Sequence, residues 1–517
     1  MVPLATLRRA AAEALAFLRA QPDVREAEAF VSSNGSLFTR LNYTSHIPSN
    51  GVEEPKSLAS HGIGVQVALT TRSGVKVGFG SEPSDLTLEG VRSALEKARR
   101  GAVLDPEFVS LPKPTGERRT LRRYHDPEVM RLSDGGLVAA GWAAIEGGLR
   151  AFESSEALHL AAAGQLRKMG LILGGDVTAL QERMAIASTN LPRVQSDEST
   201  LLMAFLTAMV EAKESKGSGW SIETHRRRLD QSAAIEAARN AVAAMDGQRV
   251  PDGEYTVVLG PQPVTDILNN LVLGGLETSS FYAQISPFMG KFGQRVASEG
   301  LSITDDSARP GMAGSKGITC EGLPTGRTEL IKDGVLVGLM SNYYEAQRLL
   351  NDPQARGKLG VDPKEHRAAL TPRNGFRFAR GGGRHFDTTA GIYPTNVVVE
   401  GTRPVGREEL FRRVGNGLYI GRIWYTSPIN GMRAGDFTCT VVGDSYLIKD
   451  GRLAAPLKAN AVRLDDNINR LLNAIVGVGD QPRGTLVWAA DEIVYAPEIV
   501  VSGVPVREIG SFLAGGG

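Results

Sequence analysis

The sequence predicts an α+β protein: an N-terminal α/β domain, with helices packed on a sheet, precedes a larger, mostly antiparallel β-rich C-terminal domain. Two observations lead to this fold class. In the first half, segments with apolar residues at helical spacing alternate with strand-like segments. From Gly253 onward, glycine and β-branched residues dominate, as is typical of strands joined by turns. We expect residues 1–115 to form the first part of the N-terminal domain, 116–250 to complete it, and 251–517 to form the C-terminal domain.

Helices and strands alternate in the predicted N-terminal domain. The first helix is indicated by apolar residues that recur every three or four positions, namely Leu7, Ala11, Leu15 and Leu18. A glycine-containing turn at 72–74 predicts a hairpin over 62–81. Further helices are expected over 85–100, 135–151 and 230–246, and further strands near 156–176, 183–189 and 199–213.

The composition indicates an ordinary cytoplasmic protein. With 58 basic and 57 acidic residues the net charge is +1, so the bulk charge gives no reason to expect a nucleic-acid partner. Charged residues interrupt the apolar positions of the first twenty residues, so we expect an amphipathic helix and no signal peptide. No stretch reaches the roughly 18 uncharged apolar residues of a membrane span. The two cysteines, Cys320 and Cys439, are expected to be reduced and packed.

Six ordered motifs in the second half carry a resemblance to a known family. They are PDGEYTVVLGP (251–261), TDILNNLVLGGLE (265–277), FGQRVASEGLSITDD (292–306), CEGLPTGRTELIKDGVLVGLMSNYYEA (320–346), TNVVVEGT (395–402) and GDFTCTVVGDSYLIKDGRLAAPLK (435–458). The N-terminal segment GIGVQVALTTRSGVKVGFGS (62–81) fits as well. In this order, the motifs resemble the TldD/TldE (PmbA) family of peptide-processing proteins.

The resemblance implies that a metal site is missing from this chain. In the TldD half of the family, the helix after the GEYTVVL-type strand carries HExxxH, whose histidines bind zinc and whose glutamate takes a proton from zinc-bound water. The corresponding positions here are Asn269, Asn270 and Gly274, or Leu273 if the spacing is one residue shorter. None of these residues supplies an imidazole or a carboxylate. We therefore expect this chain to bind no metal and to carry no catalytic residue.

The remaining candidate ligands form no metal motif. His385 and Asp387 lie in the charged, glycine-rich stretch 352–394, which predicts a flexible loop, and solvated loop residues explain them better than a metal site. Asp305–Asp306 are better explained as turn formers than as cation ligands. In the catalytic branch of the family a C-terminal cysteine completes the zinc site. Cys439 is a candidate counterpart, although burial in the core suits a lone thiol better.

Aromatic residues of the segment 417–437 are the candidates for substrate binding. Tyr419, Trp424, Tyr425 and Asn430 lie there, and the resemblance places the corresponding stretch beside the substrate cleft. Their rings and amide would suit an extended peptide that adds to a strand edge. Core or dimer contacts explain the same side chains equally well.

The resemblance also implies a division of labour between two chains. This chain would be a non-catalytic, TldE/PmbA-like subunit that shapes a peptide cavity, while a TldD-like subunit with HExxxH supplies the zinc and the protease activity. Such heteromeric complexes process leader or precursor peptides and unfolded chains. Two alternatives stay open: a self-sufficient non-metal hydrolase, for example with a cysteine and a histidine, and a homodimeric peptide-binding protein without protease activity.

Overall fold

The computed structural model describes residues 1–47, 50–378, 383–486 and 493–510. Its helices and strands up to residue 250 are, in chain order, α1 (Leu4–Arg19), β1 (Val24–Thr44), β2 (Gly51–Val52), β3 (Lys56–Thr71), β4 (Gly74–Pro83), α2 (Leu88–Gly101), β5 (Val103–Leu104), α3 (Asp134–Glu153), α4 (Glu156–Ala162), β6 (Leu171–Ser188), β7 (Gln195–Val210), β8 (Ser215–Glu223) and α5 (Ser232–Ala243). These strands form one eight-stranded antiparallel sheet in the order β5-β4-β3-β1-β6-β7-β8, with β2 paired to β1.

Both faces of this first sheet are covered, which explains why β1 is buried along most of its length. Side chains alternate between the faces of a strand. Ala29 and Val31 point to the face on which α1 and α2 pack, and Leu41 points to the same face beneath α3. Phe30 points the opposite way, into a cluster with Cys320 from the second half of the chain. The sheet is therefore a layer between the N-terminal helices and the C-terminal half.

The C-terminal half is built mainly from strands. Its elements are β9 (Gly253–Leu259), α6 (Pro261–Ile267), α7 (Thr278–Tyr282), β10 (Leu301–Asp306), β11 (Arg327–Lys332), β12 (Val335–Leu336), α8 (Tyr343–Asn351), α9 (Ala355–Leu359), β13 (Gly375–Phe376), β14 (Gly391–Ile392), β15 (Asn396–Gly401), α10 (Arg407–Val414), β16 (Gly417–Ile420), β17 (Arg422–Pro428), β18 (Asp436–Gly443), β19 (Tyr446–Lys449), β20 (Arg452–Pro456), β21 (Val462–Asn467), α11 (Ile468–Asn473), β22 (Ile475–Val478), β23 (Arg483–Leu486), β24 (Ile493–Ala496) and β25 (Ile499–Glu508).

Two larger sheets organise these strands. A nine-stranded sheet has the order β17-β18-β21-β25-β9-β16-β19-β20, with β22 paired to β25, and a six-stranded sheet has the order β12-β11-β10-β15-β24-β23. Only Gly421 joins β16 to β17, although β17 is the first strand of the larger sheet and β16 the sixth. The sheet must therefore be strongly curved, so that the end of β17 that follows Gly421 lies close to the end of β16. A Cβ atom at Gly421 would lie 2.0 Å from the carbonyl oxygen of Asp444, so this junction requires glycine.

These features confirm the α+β fold class and the mostly antiparallel C-terminal half. The hairpin expected over 62–81 is formed by β3 and β4. The strand expected near 156–176 was wrong in its first part, because 156–162 forms the helix α4. Ser155 caps α4 by accepting the amide of Leu158, a local signal that the strand prediction overlooked. No helix within the described ranges is long and apolar enough to span a membrane.

The flexible loop expected over 352–394 was also wrong for the residues that the structure describes. This stretch contains α9, β13 and β14, and Phe376 and Phe386 are buried. Its arginines Arg377 and Arg384 are among the most buried side chains of the protein, because acidic residues of the first sheet neutralise them. The charges of Arg377 and Arg384, which indicated a solvated loop, therefore lie in the protein interior. Part of the glycine run at 381–383 lies outside the described residues.

A buried ionic cluster joins the two halves of the chain. The guanidinium of Arg384, with no exposed surface, donates to Glu182 at 3.2 Å and to Asp197 at 2.9 Å. Nζ of Lys316 donates to Glu182 at 3.0 Å, and both cations also donate to the hydroxyl of Ser199. Burial raises the pKa of Glu182, but the positive charges of Lys316 and Arg384 outweigh it and lower that pKa to about 2. Glu182 and Asp197 belong to the first sheet, so the cluster fastens the C-terminal half to it.

Replacing Arg384 by glutamine should lower the free energy of unfolding by about 3 kcal/mol, at the lower end for a buried ion pair that loses one partner, because Lys316 and Arg119 would still pair with Glu182 and Asp197. Urea denaturation followed by circular dichroism measures the change. Arg356→Gln is the matched control, since Arg356 is exposed in α9 and its loss should cost less than about 0.5 kcal/mol. Equal stabilities of the two variants would contradict the structural role of the cluster.

Candidate functional site

The helical stretch after β9 carries the three positions that correspond to the zinc motif. Pro261 starts α6, which continues into a π-helical turn over Leu268–Val272 that contains Asn269 and Asn270. Asn270 is exposed, whereas Asn269 and Gly274 are half-buried. A Cβ atom at Gly274 would lie 2.9 Å from Cε of Met432. The loop between β17 and β18, which contains Met432, therefore lies against the motif positions.

Asp266 lies in the middle of this helical stretch, one turn before Asn270. Its carboxylate is buried and accepts hydrogen bonds from Nδ2 of Asn270 at 2.5 Å and from Nε2 of Gln262 at 3.2 Å. Burial raises the pKa of Asp266, while the hydrogen bonds from Asn270 and Gln262 and the charge of Arg422 act in the opposite direction. The helix thus satisfies a buried carboxylate with amide donors from its own turns.

β17 and β18 lie against this helix. The side chain of Gln262 binds the main chain of β17 as a neighbouring strand would, because it accepts from the Ile423 amide at 2.9 Å and donates to the Ile423 carbonyl at 3.3 Å. On β18, the side chain of Cys439 is 1% exposed. Burial raises the pKa of Cys439, and the Asp266 carboxylate raises it further. The fold therefore places Cys439 near the helix of the motif positions.

The side chains gathered here do not fit a zinc ion. Zinc prefers thiolate, imidazole and carboxylate ligands, whereas Asn269, Asn270 and Gly274 offer two amides and no third side chain. Cys439 is a neutral thiol, and the Asp266 carboxylate is already hydrogen-bonded by amides. In the part of the chain that the structure describes, no group of three or more histidine, cysteine and acidic side chains is placed to hold a metal ion. The amide side chains of the site can form hydrogen bonds but do not suit a zinc ion.

Two of the four predicted peptide-binding residues form an exposed aromatic pair on the edge strand β17. Trp424 is 36% exposed and Tyr425 is 74% exposed, and their ring centroids lie 6.3 Å apart in an edge-to-face arrangement. Tyr425 adopts a left-handed backbone conformation with φ of 56°, and the pairing of β17 with β18 is irregular between Trp424 and Ser427. This bulge turns Tyr425 outward from the sheet.

The other two predicted residues lie elsewhere. Asn430 is exposed in the loop after β17, where its Nδ2 donates to Asp436 at 2.9 Å. Tyr419 lies on β16 and contacts the rings of Phe411 and Tyr446, at centroid distances of 5.8 and 6.4 Å. Tyr419 borders a different cavity, of about 650 Å³, so the structure does not bring it to the Trp424 face.

The two cysteines and the acidic pair occupy structural positions. Cys320 has no exposed surface, and burial raises its pKa to about 12, so neither it nor Cys439 is an activated thiol. Asp305 lies in β10 and not in a turn, and its carboxylate accepts hydrogen bonds from the Thr395 amide at 2.8 Å and from Asn374 at 2.6 Å. This carboxylate therefore ties β10 to neighbouring segments.

The structure assembles one constellation that the sequence did not predict. Oγ of Ser60 lies 3.0 Å from Nε2 of His385, whose Nδ1 lies 2.9 Å from Oδ1 of Asp387. Ser60 belongs to β3, and the segment around His385 can approach that strand because Gly64 has no side chain: a Cβ atom there would lie 2.2 Å from the Phe386 carbonyl oxygen. The three side chains have the hydrogen-bonding order of a Ser-His-Asp triad. A sequence separation of 325 residues between Ser60 and His385 hid this arrangement.

Comparisons with known proteins agree with this architecture. Residues 252–508 match the family model described as the PmbA/TldA metallopeptidase C-terminal domain. The chain is 28% identical over 247 residues to a metalloprotease of Synechocystis, covering 47% of this chain and 46% of that protein. It is also 28% identical over 231 residues to the metalloprotease TldD homolog of Haemophilus influenzae, covering 44% and 41%. The chain thus spans about half the length of the curated relatives that it matches.

A solved structure resembles nearly the whole chain. TldE from Thermococcus kodakarensis superimposes with a TM-score of 0.73 at 18% identity, covering 96% of this chain and 100% of that one. At this level of identity the likeness concerns the fold. The family-model match and the curated relatives carry the assignment further: the chain belongs to the PmbA/TldD family, and its sequence lacks the HExxxH motif.

Proposed function

We propose that the chain is a non-catalytic, peptide-binding subunit, and that a TldD-like partner with HExxxH supplies zinc and cleaves the peptide. One observation carries the proposal. The helical stretch with Asn269 and Asn270, where the motif is absent, lies against the strand that exposes Trp424 and Tyr425. A surface with exposed aromatic rings and hydrogen-bonding amides, but no metal ligands, binds a peptide without cleaving it.

Strand addition to β17 is the binding mode that we propose. β17 is the first strand of its sheet, and among the described strands it pairs with β18 alone. An extended peptide can therefore form main-chain hydrogen bonds along this edge beyond Ile423, where Gln262 already binds the main chain. The rings of Trp424 and Tyr425 would then contact side chains of the peptide. Such an edge selects unfolded peptides, because a folded domain would first have to unfold locally to present a strand.

The division of labour with a partner follows from what this chain lacks. Its curated relatives in the family are named metalloproteases, and the donor set around Cys439 and Asp266 does not suit zinc. A chain that keeps the fold without the ligands contributes through binding and assembly. The partner would then carry the metal, the attacking water and the scissile peptide bond.

A second candidate function rests on Ser60, His385 and Asp387. In a hydrolase of this kind, Ser60 Oγ attacks a carbonyl carbon and its proton passes to Nε2 of His385, while Asp387 orients the imidazole through Nδ1. The proton then passes to the leaving group as its bond to the carbonyl carbon breaks. Water, activated by His385, hydrolyses the acyl-serine and restores the hydroxyl. This replaces the cysteine version of a self-sufficient hydrolase, because both thiols are buried and protonated.

Zinc content tests the absence of a metal site. The protein purified alone at neutral pH should contain close to zero zinc per chain by elemental mass spectrometry. Peptide cleavage should appear only when a TldD-like chain with intact HExxxH is added. One zinc per chain that is lost in Cys439→Ser would contradict the proposal. A stable dimer of the chain alone, with bound peptide and no cleavage after the partner is added, would favour the homodimeric alternative.

Peptide binding should depend on the aromatic pair. The double variant Trp424→Ala, Tyr425→Ser should bind an unstructured, fluorescently labelled peptide at least tenfold more weakly, because exposed aromatic anchors dominate such contacts. Fluorescence anisotropy measures the affinity. Trp142→Ala is the matched control, since Trp142 is 44% exposed on α3 of the N-terminal half and should not contribute. Unchanged affinity in the double variant would exclude the β17 edge as the binding surface.

Covalent labelling tests the serine hydrolase candidate. A fluorophosphonate probe should modify Ser60 in the wild-type protein, as intact-mass and peptide mass spectrometry would show, and His385→Asn should slow labelling at least a hundredfold. Ser73→Ala, an exposed serine in the turn between β3 and β4, should label as fast as the wild type. If Ser60 stays unlabelled at a millimolar probe concentration, the candidate would be refuted, and the hydrogen bonds of Ser60, His385 and Asp387 would only connect β3 to the segment 383–387.

A further inference from the structure

A cavity of about 260 Å³ opens beside the start of β17, between the two halves of the chain. Arg422 and Trp424 line it from β17, while Thr207 and Lys216 line it from the first sheet. Because Arg422 and Trp424 are two residues apart on one strand, their side chains leave the same face. The cavity is therefore continuous with the exposed aromatic pair.

Arg422 is a largely desolvated cation without a close counter-ion. Its guanidinium lies 5.0 Å from the ring centroid of Phe205 and 5.6 Å from that of Trp424, and Nη1 donates to the hydroxyl of Thr207 at 3.3 Å. It forms no ion pair with any carboxylate of the described residues. Burial lowers the pKa of Arg422, and the charges of Asp444 and Asp266 only partly oppose this effect. A cation in this position gains free energy when an anion reaches it.

The other charged groups of the cavity leave room for such an anion. Lys216 is half-buried and likewise forms no ion pair within the described residues. Asp444 is the carboxylate of the lining, and it already accepts the Ser218 amide at 3.2 Å and the Ser218 hydroxyl. Two cations thus face one carboxylate that is held in place by its own donors. The balance of charge favours a negatively charged ligand.

From this geometry we infer that the cavity binds a carboxylate of the peptide that adds to β17, with Arg422 as the direct partner and Lys216 as the second cation. The inference rests on the proposed peptide-binding function and deepens it by naming the chemistry of the substrate. The planar guanidinium beside these two aromatic rings carries N–H groups in the fork that suits a carboxylate. The group can come from the C-terminus of the peptide or from an aspartate or glutamate side chain.

Four labelled peptides with one common, unstructured sequence separate these sources. One has a free C-terminus and neutral side chains, one is C-terminally amidated and neutral, and two are amidated with a single glutamate at either the last or the central position. A peptide with a correctly placed carboxylate should bind at least tenfold more tightly than the neutral amide, equivalent to about 1.4 kcal/mol. The best binder identifies the source of the carboxylate.

Variants of the two cations complete the test. Arg422→Gln keeps a donor for Thr207 and should abolish the preference for the carboxylate, while Arg422→Lys should retain part of it and Lys216→Gln should weaken it. Arg452→Gln, an exposed arginine on β20, is the matched control. Equal binding of all four peptides, or a preference that persists in Arg422→Gln, would overturn the inference and leave peptide binding intact. Binding of none of the peptides would refute the proposed function and the inference together.

Discussion

The pairing of Arg384 with Glu182 and Asp197 is the constraint on which the rest of the structure depends. Two carboxylates on the inner face of the first sheet would be too costly to bury alone. Arg119 of the N-terminal half pairs with Asp197 at 2.6 Å, but Glu182 forms ion pairs only with cations from the C-terminal half among the described residues. Those cations are Arg384 and Lys316, and the same alternation of strand residues brings Glu28 to Arg377. These four ion pairs join the two halves, so the cluster contributes to how the halves lie against each other.

The candidate sites follow from that placement. The cavity beside Arg422 exists because β7 and β8 of the first sheet face the curled edge of the large C-terminal sheet. Ser60 meets His385 because the chain segment that contains Arg384 passes over β3, with Gly64 leaving room for it. Neither arrangement belongs to one half alone. Local sequence therefore supplies the chemical groups, while the buried ion pairs supply their geometry.

Sequence patterns could predict the fold class, the hairpin at 62–81 and the family, because these depend on local periodicity and on ordered motifs. The sequence-based predictions failed where charged side chains are buried. Arg377 and Arg384 suggested a solvated loop, yet both are interior because their partners are far away in the chain. Arg422 gave no signal, since nothing local indicates that a strand arginine lacks a carboxylate. The sequence does give a weak signal for the environment of Asp266. Gln262 and Asn270 lie four residues before and after it, so their amide donors are on the same helix face.

The absence of zinc ligands need not weaken the helix that would have held them. In a zinc site, the metal neutralises buried acceptors and fixes the helix against the neighbouring strand. Here Asn270 and Gln262 satisfy the Asp266 carboxylate, and Gln262 also binds the Ile423 main chain. Amides thus perform both structural tasks without a cation. A chain built this way holds the helix against β17 without a metal ion, as the proposed division of binding and cleavage between two subunits requires.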